Sequence, residues 1–378
     1  MKKIGIISLY HQNKNYGGLL QAYALTAFLK KLGFDAEQIS FKKDIITEDH
    51  LTLEILFRKL RRKFSEPVKK AFAKDIYNNI SSRTAMFKEF EKSIPHSTDV
   101  YTRENIIDCI YNYDAFITGS DQVWNLAWYN PEYFLNFAPS DKIKISYAAS
   151  MPSSQIPQSR KNTVYNHLIR FDAISVREKE TVQAINKLLN SNTAKHVLDP
   201  TLLLERNDWD KICGSRKISD KYIFCYFLGR NRKMRKTASA FAKKMNLKIV
   251  TLPHLCDICL SDLNFGDEQL YDLSPNDFIS LIKNAEYVIT DSFHAVVFSN
   301  IYQVKHFVFS RTDLGSMDSR ITNLLELFDE KKRFCFDKKR SDTKYLIDLK
   351  DRQLNNHHPL LDKAKILSVD FLQENLDI

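Results

Sequence analysis

A histidine placed where an apolar run turns into a helix can move a proton or hold a phosphate. Thr290-Asp291-Ser292-Phe293-His294-Ala295 puts His294 at such a point. A helix N-terminus favours a bound anion and disfavours imidazolium, so His294 suits proton transfer. A histidine packed in a core would read the same way. Ser292 offers a hydroxyl, although no Gly-x-Ser-x-Gly elbow surrounds it. Ser175-Val176-Arg177-Glu178 sets a guanidinium at a second strand-to-helix junction. That rigid, permanently charged fork suits phosphate or carboxylate, and an ion pair with Glu178 or Glu180 is the plain alternative. Thr118-Gly119-Ser120-Asp121-Gln122-Val123-Trp124-Asn125 gathers a carboxylate, an amide and an indole past a strand. Sugars are bound by such groups: aromatic faces meet C–H surfaces, and carboxylates and amides meet hydroxyls. A capping Asp121 beside a core Trp124 fits the same letters. Asn15-Tyr16-Gly17-Gly18-Leu19-Leu20-Gln21 opens a helix whose free N–H groups can cradle an anion, or it makes a tight turn. It is not a Gly-x-Gly-x-x-Gly pattern, so a nicotinamide cofactor is unsupported. Cys256-Asp257-Ile258-Cys259 with His254 is half of a zinc site, and no second such pair exists. A structural zinc takes four ligands, so no metal is expected.

The elements that must position these groups alternate between strand and helix. Ile4–Leu9 is a short apolar run, Leu19–Leu32 repeats apolar residues at helical spacing up to Gly33, and Ala36–Phe41 is the next strand. Asp114–Thr118, Lys144–Ala149 and Ala173–Val176 are further strands, Arg177–Leu189 a helix, and His196–Leu198 a strand ending at Asp199-Pro200. A second series follows: strands at Tyr222–Leu228, Lys248–Leu252, Tyr287–Thr290 and His306–Phe309, with helices at Lys236–Met245 and Ala295–Tyr302. Ser274-Pro275-Asn276-Asp277 starts another helix, with an N-cap Ser, Pro at N1 and an acid at N3. This alternation implies α/β architecture with parallel sheets, and two successive halves place a ligand in the cleft between them. The expected division is 1–214, 215–340 and a helical tail 341–378 that returns to the first half. Residues 51–74 interrupt the pattern as a basic amphipathic stretch, with Arg58, Lys59, Arg61, Arg62 and Lys63 around Leu53, Leu56, Leu60 and Phe64.

The 378 residues are of globular composition, 44% hydrophobic and 27% charged, with a net charge of +10. Excess positive charge points to anionic ligands, headgroups or nucleic acid. No apolar run reaches the ~18 residues of a membrane span. Six dispersed cysteines do not make a disulfide scaffold, so a reducing cytoplasm is expected.

Taken together, Asn15–Gln21, Thr118–Asn125, Tyr147-Ala148-Ala149-Ser150, Ser175–Glu178, Leu198-Asp199-Pro200 and Thr290–Ala295 resemble the polysaccharide pyruvyl transferase family, in the family's order and over roughly residues 4–310. The resemblance implies two Rossmann-like domains facing a cleft, as in GT-B glycosyltransferases. It also implies transfer of pyruvyl from phosphoenolpyruvate to two hydroxyls of a sugar, forming a cyclic ketal. Many relatives carry Arg where this chain has Ser292, and Arg320 or Arg311 is the candidate replacement. On this reading His294 is the acid and Asp121 orients or deprotonates an acceptor hydroxyl. Arg177, Ser292, Arg320 and Arg311 hold the donor. Asn15, Tyr16, Gly17, Gln21, Trp124 and Asn125 line the acceptor side. No cofactor is implied, since phosphoenolpyruvate is a co-substrate. The acceptor is a glycan, free or lipid-linked, and the 51–74 stretch offers a contact with the inner face of a membrane. A solvated helix packed on the first domain is the alternative for that stretch. Two rival readings stay open: a sugar-nucleotide glycosyltransferase of the same layout, and a non-catalytic glycan- or nucleic-acid-binding protein. Against nucleic acid, the cations are mostly dispersed, and no zinc finger or RNP signature is present.

Overall fold

The computed structural model describes residues 1–43, 74–151, 155–254, 259, 261–262, 264–311, 318–335, 342–355 and 358–376. Residues 51–73 of the basic stretch, and Cys256, lie outside them.

Two parallel sheets carry the chain. The first is ordered β3-β2-β1-β4-β5-β6-β7, from β1 (Lys3–Ile7), β2 (Asp35–Phe41), β3 (His96–Tyr101), β4 (Ala115–Thr118), β5 (Ile143–Ala149), β6 (Ala173–Val176) and β7 (Lys195–His196). The second is ordered β10-β9-β8-β11-β12-β13, from β8 (Tyr222–Tyr226), β9 (Lys248–Thr251), β10 (Glu268–Gln269), β11 (Tyr287–Thr290), β12 (His306–Phe309) and β13 (Phe334–Cys335). Every pairing is parallel. The central strands β1, β4, β8 and β11 are apolar almost throughout, as strands covered on both faces must be. The expected α/β architecture of two halves is the one observed.

In each sheet the strand order reverses beside the first strand, at β1/β4 and at β8/β11. Ligands of open parallel sheets bind at the carboxyl ends of strands at such points. The loops after β1, β4, β8 and β11 therefore meet in the middle of the molecule.

What fastens the halves is largely apolar. One core cluster runs through both, including Leu20, Phe87 and Trp209 with Tyr226, Phe278 and Phe298. Tyr16, on the Tyr16–Lys31 helix, stacks on Phe278 at 4.7 Å and donates its hydroxyl to the carbonyl of Leu273. Arg83, on the Lys74–Ser93 helix, is buried and donates to the carbonyls of Pro253, Leu270 and Tyr271. A buried guanidinium with all its nitrogens satisfied fixes register as well as distance. The Pro359–Leu376 helix inserts Phe371, Leu372 and Leu376 into the same cluster, and its Ser368 hydroxyl accepts from the Leu198 N–H at 2.9 Å. Among the described residues, no helix is long and apolar enough to cross a membrane.

Candidate functional site

The segments after β11, β4 and β6 bring side chains to the space between the sheets, and local chemistry explains each. β11 ends at Thr290, whose hydroxyl donates to the Tyr226 carbonyl at 2.5 Å and accepts from the Ser292 N–H at 3.0 Å. This tight turn sets Ser292 as the N-cap of the Phe293–Ile301 helix, its hydroxyl accepting from the Ala295 N–H. His294 thus projects from the first turn of a buried helix. Asp291 accepts from the N–H groups of Leu228 and Gly229, both at 2.7 Å, tying the β8 loop to the β11 loop.

Asp121 follows β4 with φ of +67°, a left-handed backbone that Asp tolerates better than most residues. Its carbonyl accepts from Val123 and Ser150, and it forms a parallel bridge with Ala149. Ala148, next to a register shift in β5, is also left-handed, with φ of +53°. Two such residues at adjoining strand ends mark backbone held in place by its surroundings.

Arg177 extends β6 by one residue, donating its N–H to Ala149. Its guanidinium is buried among carboxylates: Nη1 lies 2.6 Å from Asp199 Oδ2, Nε 3.5 Å from Glu178 Oε1 and Nη2 3.7 Å from Asp121 Oδ1. The ring of Phe293 covers it, 4.7 Å away. Asp199 also receives the N–H and hydroxyl of Thr201, at 3.0 and 2.6 Å. His294 Nε2 lies 3.7 Å from the Asp199 oxygen that Arg177 holds, a charge contact too long for a hydrogen bond.

These groups wall a hollow of about 90 Å³, with Asn15, Gln122, Arg311 and Arg320 on its other sides. Three guanidinium groups, of Arg177, Arg311 and Arg320, face two carboxylates, of Asp121 and Asp291. Arg311 leans on Asp291, with Nη2 2.9 Å from its carbonyl. Burial pushes the Arg320 guanidinium down to about 10, and Arg177 and Arg311 push the same way. Burial alone would raise the Asp199 carboxyl, but His294, Arg177 and Thr201 together hold it well below the usual carboxylate range. Burial raises Glu178 against the pull of Arg177 and Arg320, and its Oε1 accepts from Ser150 at 2.5 Å.

Of the residues singled out in the sequence, the structure brings His294, Asp121, Arg177, Ser292, Arg311, Arg320 and Asn15 to this one hollow. The rest of the expected acceptor set has other tasks. Trp124 is wholly buried, stacked on Phe134 at 5.2 Å, and donates its indole N–H to the Tyr133 carbonyl. Tyr16 belongs to the seam between the halves. Gln21 is buried and donates to the Gly18 carbonyl. Asn125 caps the Leu126–Trp128 turn, accepting from the Ala127 N–H at 3.0 Å. The two glycines make room for neighbouring side chains. A Cβ on Gly17 would fall on the His294 imidazole, and one on Gly18 on the Asn13 amide. The N–H of Gly18 is already taken by the Asn15 side chain, at 3.2 Å.

A packing role for Trp124 predicts that Trp124→Phe costs about 1–2 kcal/mol, the lost indole hydrogen bond, in denaturant unfolding. Turnover should persist in that variant, and a lost acceptor interaction would show instead as a raised acceptor KM.

Sequence reasoning missed Asp199 as a member of the site, together with Gln122, Asp291 and Phe293. Asp199 had a visible signal, the Leu-Asp-Pro turn after a strand. His254, Cys259 and Asp262 lie close enough to hold a metal, but that carboxylate already carries Arg235 at 2.6 Å. His254 uses both ring nitrogens, on Asp262 at 2.7 Å and on the Leu228 carbonyl at 3.0 Å. This cluster braces the β8 loop.

The profile of the polysaccharide pyruvyl transferase family matches residues 15–313. No curated protein matches the chain in sequence. Among solved structures, the UDP-GlcNAc 2-epimerase of Methanocaldococcus jannaschii aligns with a TM-score of 0.53 at 12% identity, covering 97% of this chain and 99% of that one. The S. aureus MnaA–UDP co-structure aligns with a TM-score of 0.52 at 13% identity, covering 100% and 97%. At such identity the likeness is one of fold, two Rossmann-like domains arranged as in GT-B enzymes.

Proposed function

The chain belongs to the polysaccharide pyruvyl transferase family, and we propose that it transfers the pyruvyl group of phosphoenolpyruvate to two hydroxyls of a sugar, closing a cyclic ketal and releasing phosphate. One observation carries the reading. His294 Nε2, Arg177 Nη2 and Arg320 Nε are buried, and each lacks a hydrogen-bond partner among the described residues. Buried donors are nearly always satisfied, so a cluster of orphans facing one hollow argues for an anionic ligand with several acceptor oxygens. A small phosphate ester that also bears a carboxylate has that character.

The chemistry asks for an acid, a base and cations. His294 gives a proton to C3 of the enol, making C2 electrophilic. One hydroxyl oxygen attacks C2, its proton passing to Asp121. The C2–O bond to phosphate breaks and the pair leaves with phosphate. The second hydroxyl then attacks C2 and closes the ring. Of the two hydroxyl protons, one balances the methyl formed at C3 and the other leaves on hydrogenphosphate. Arg177 Nη2 and Arg320 meet donor oxygens, and Arg311 and Arg320 stand in for the family arginine absent at Ser292. The steps are ionic and call on no redox centre.

The test is ligand stabilisation followed by product analysis. Phosphoenolpyruvate at about 100 times its Kd should stabilise the protein by about 2.7 kcal/mol. UDP and GDP at the same concentration should not, and acceptor-dependent phosphate release should accompany a ketal product. Stabilisation by a nucleotide but not by phosphoenolpyruvate would move the protein to the sugar-nucleotide transferases.

A further inference from the structure

A second hollow, of about 320 Å³, opens beside the first and shares Asn15, Asp121 and Gln122 with it. We infer that it is the acceptor subsite, and that it takes a sugar carrying an anionic group, a phosphate ester or a carboxylate. The inference rests on the donor reading above and adds the acceptor's chemical class.

Three features point to that class. The indole of Trp128 lines the hollow and is 49% exposed, which is unusual for so large a ring. An exposed aromatic face in a concave wall is a platform for the C–H face of a pyranose. Two exposed ammonium groups, of Lys14 and Lys43, line the same space and make no hydrogen bond or salt bridge among the described residues, although Asp121 attracts that of Lys43. A third base, His11, is already matched by Glu91 at 2.9 Å. Among the described residues, Asp121 is the sole carboxylate in this wall, and it stands on the side shared with the first hollow. The arrangement therefore has a direction. The sugar's hydroxyl pair lies toward Asp121 and the donor, its ring against Trp128, and its charged group against the lysines, where an ammonium contributes more to an anion than to a hydroxyl.

Indole fluorescence tests binding without turnover. The probes are three hexose 1-phosphates (galactose, mannose and glucose), the corresponding hexuronic acids, and the neutral methyl hexosides. At least one anionic probe should quench the emission, with a Kd about tenfold below that of its neutral counterpart, and Trp128→Phe should abolish the quench. Lys43→Ala should weaken the anionic probe about tenfold and shrink the charged-to-neutral ratio. Preference for 1-phosphates over hexuronic acids assigns a phosphate ester, and the reverse assigns a carboxylate. No quench by any anionic probe, or equal affinity for charged and neutral sugars, overturns the inference. Stabilisation by phosphoenolpyruvate reads the donor hollow separately. A protein that binds the anionic sugar but not phosphoenolpyruvate refutes the donor reading, whereas the opposite result refutes this one.

Discussion

Gly17→Ala should cut turnover by about 10²–10⁴ while keeping stability within about 1 kcal/mol of wild type. Gly17 lies in the first turn of the Tyr16–Lys31 helix, and a methyl there would land on the His294 imidazole. In a helix, alanine is favoured over glycine by about 1 kcal/mol. The imidazole must move to accept it, and moving it takes Nε2 away from Asp199 and the hollow. Loss of a positioned general acid costs about 10²–10⁴ in rate. We expect Gly17→Ala to reach that range in kcat, matching His294→Ala, with an unfolding free energy within about 1 kcal/mol of wild type. The double variant should be no worse than either single one, because both remove the same group from the same place. Additive losses, or a Gly17→Ala enzyme of normal rate, would show that Gly17 does not act through His294, and a His294→Ala enzyme of normal rate would remove His294 as the acid.

How far the sequence foretells such a contact depends on whether it is local. β6, β11 and β12 fall on the runs Ala173–Val176, Tyr287–Thr290 and His306–Phe309, because buried parallel strands are short unbroken apolar stretches. The Pro275–Lys283 helix begins where its capping box says it should. His294 and Arg177 were legible as junction residues for the same reason. β3 was not, since His-Ser-Thr-Asp-Val-Tyr is an edge strand that buries only Ser97 and Tyr101. The Lys74–Ser93 helix was missed too, its key contact being an arginine. Trp124 and Trp128 are four residues apart in one loop. Which indole enters the core follows from Phe134 and the Tyr133 carbonyl, not from its neighbours in sequence. Gly17 read as part of an anion cradle or a tight turn, whereas its use is room for a side chain from the other half of the molecule. Contacts between halves are set by docking, and no periodicity encodes them.

Asp199 is the sharpest case of such a long-range assignment, and Asp199→Asn should show it. The carboxylate is fully buried and serves Arg177, Thr201 and His294 at once. Neutralising it leaves the Arg177 guanidinium short of its closest partner in a dry site, a change that costs about 3–5 kcal/mol. Because the carboxyl is held below its unfolded value, its contribution is complete at neutral pH. It begins to fall as pH drops below about 4, the unfolded aspartate value, and is lost as pH passes through the folded one. Asp199→Asn should therefore lower stability at pH 7 and flatten the acid limb of the stability curve. Activity should fall at least about a hundredfold, since Arg177 loses the carboxylate that holds it and His294 loses its nearest counter-charge. Stability and catalysis are separable by replacing the pair together. Arg177→Met with Asp199→Leu removes both charges and, as with other buried ion pairs, should recover much of the lost stability. It should not recover turnover, because Arg177 Nη2 is a donor that the phosphate or carboxylate needs. Recovered activity in that doubly neutral variant would mean the buried pair serves folding alone, and that the anion is held by Arg311 and Arg320 without it.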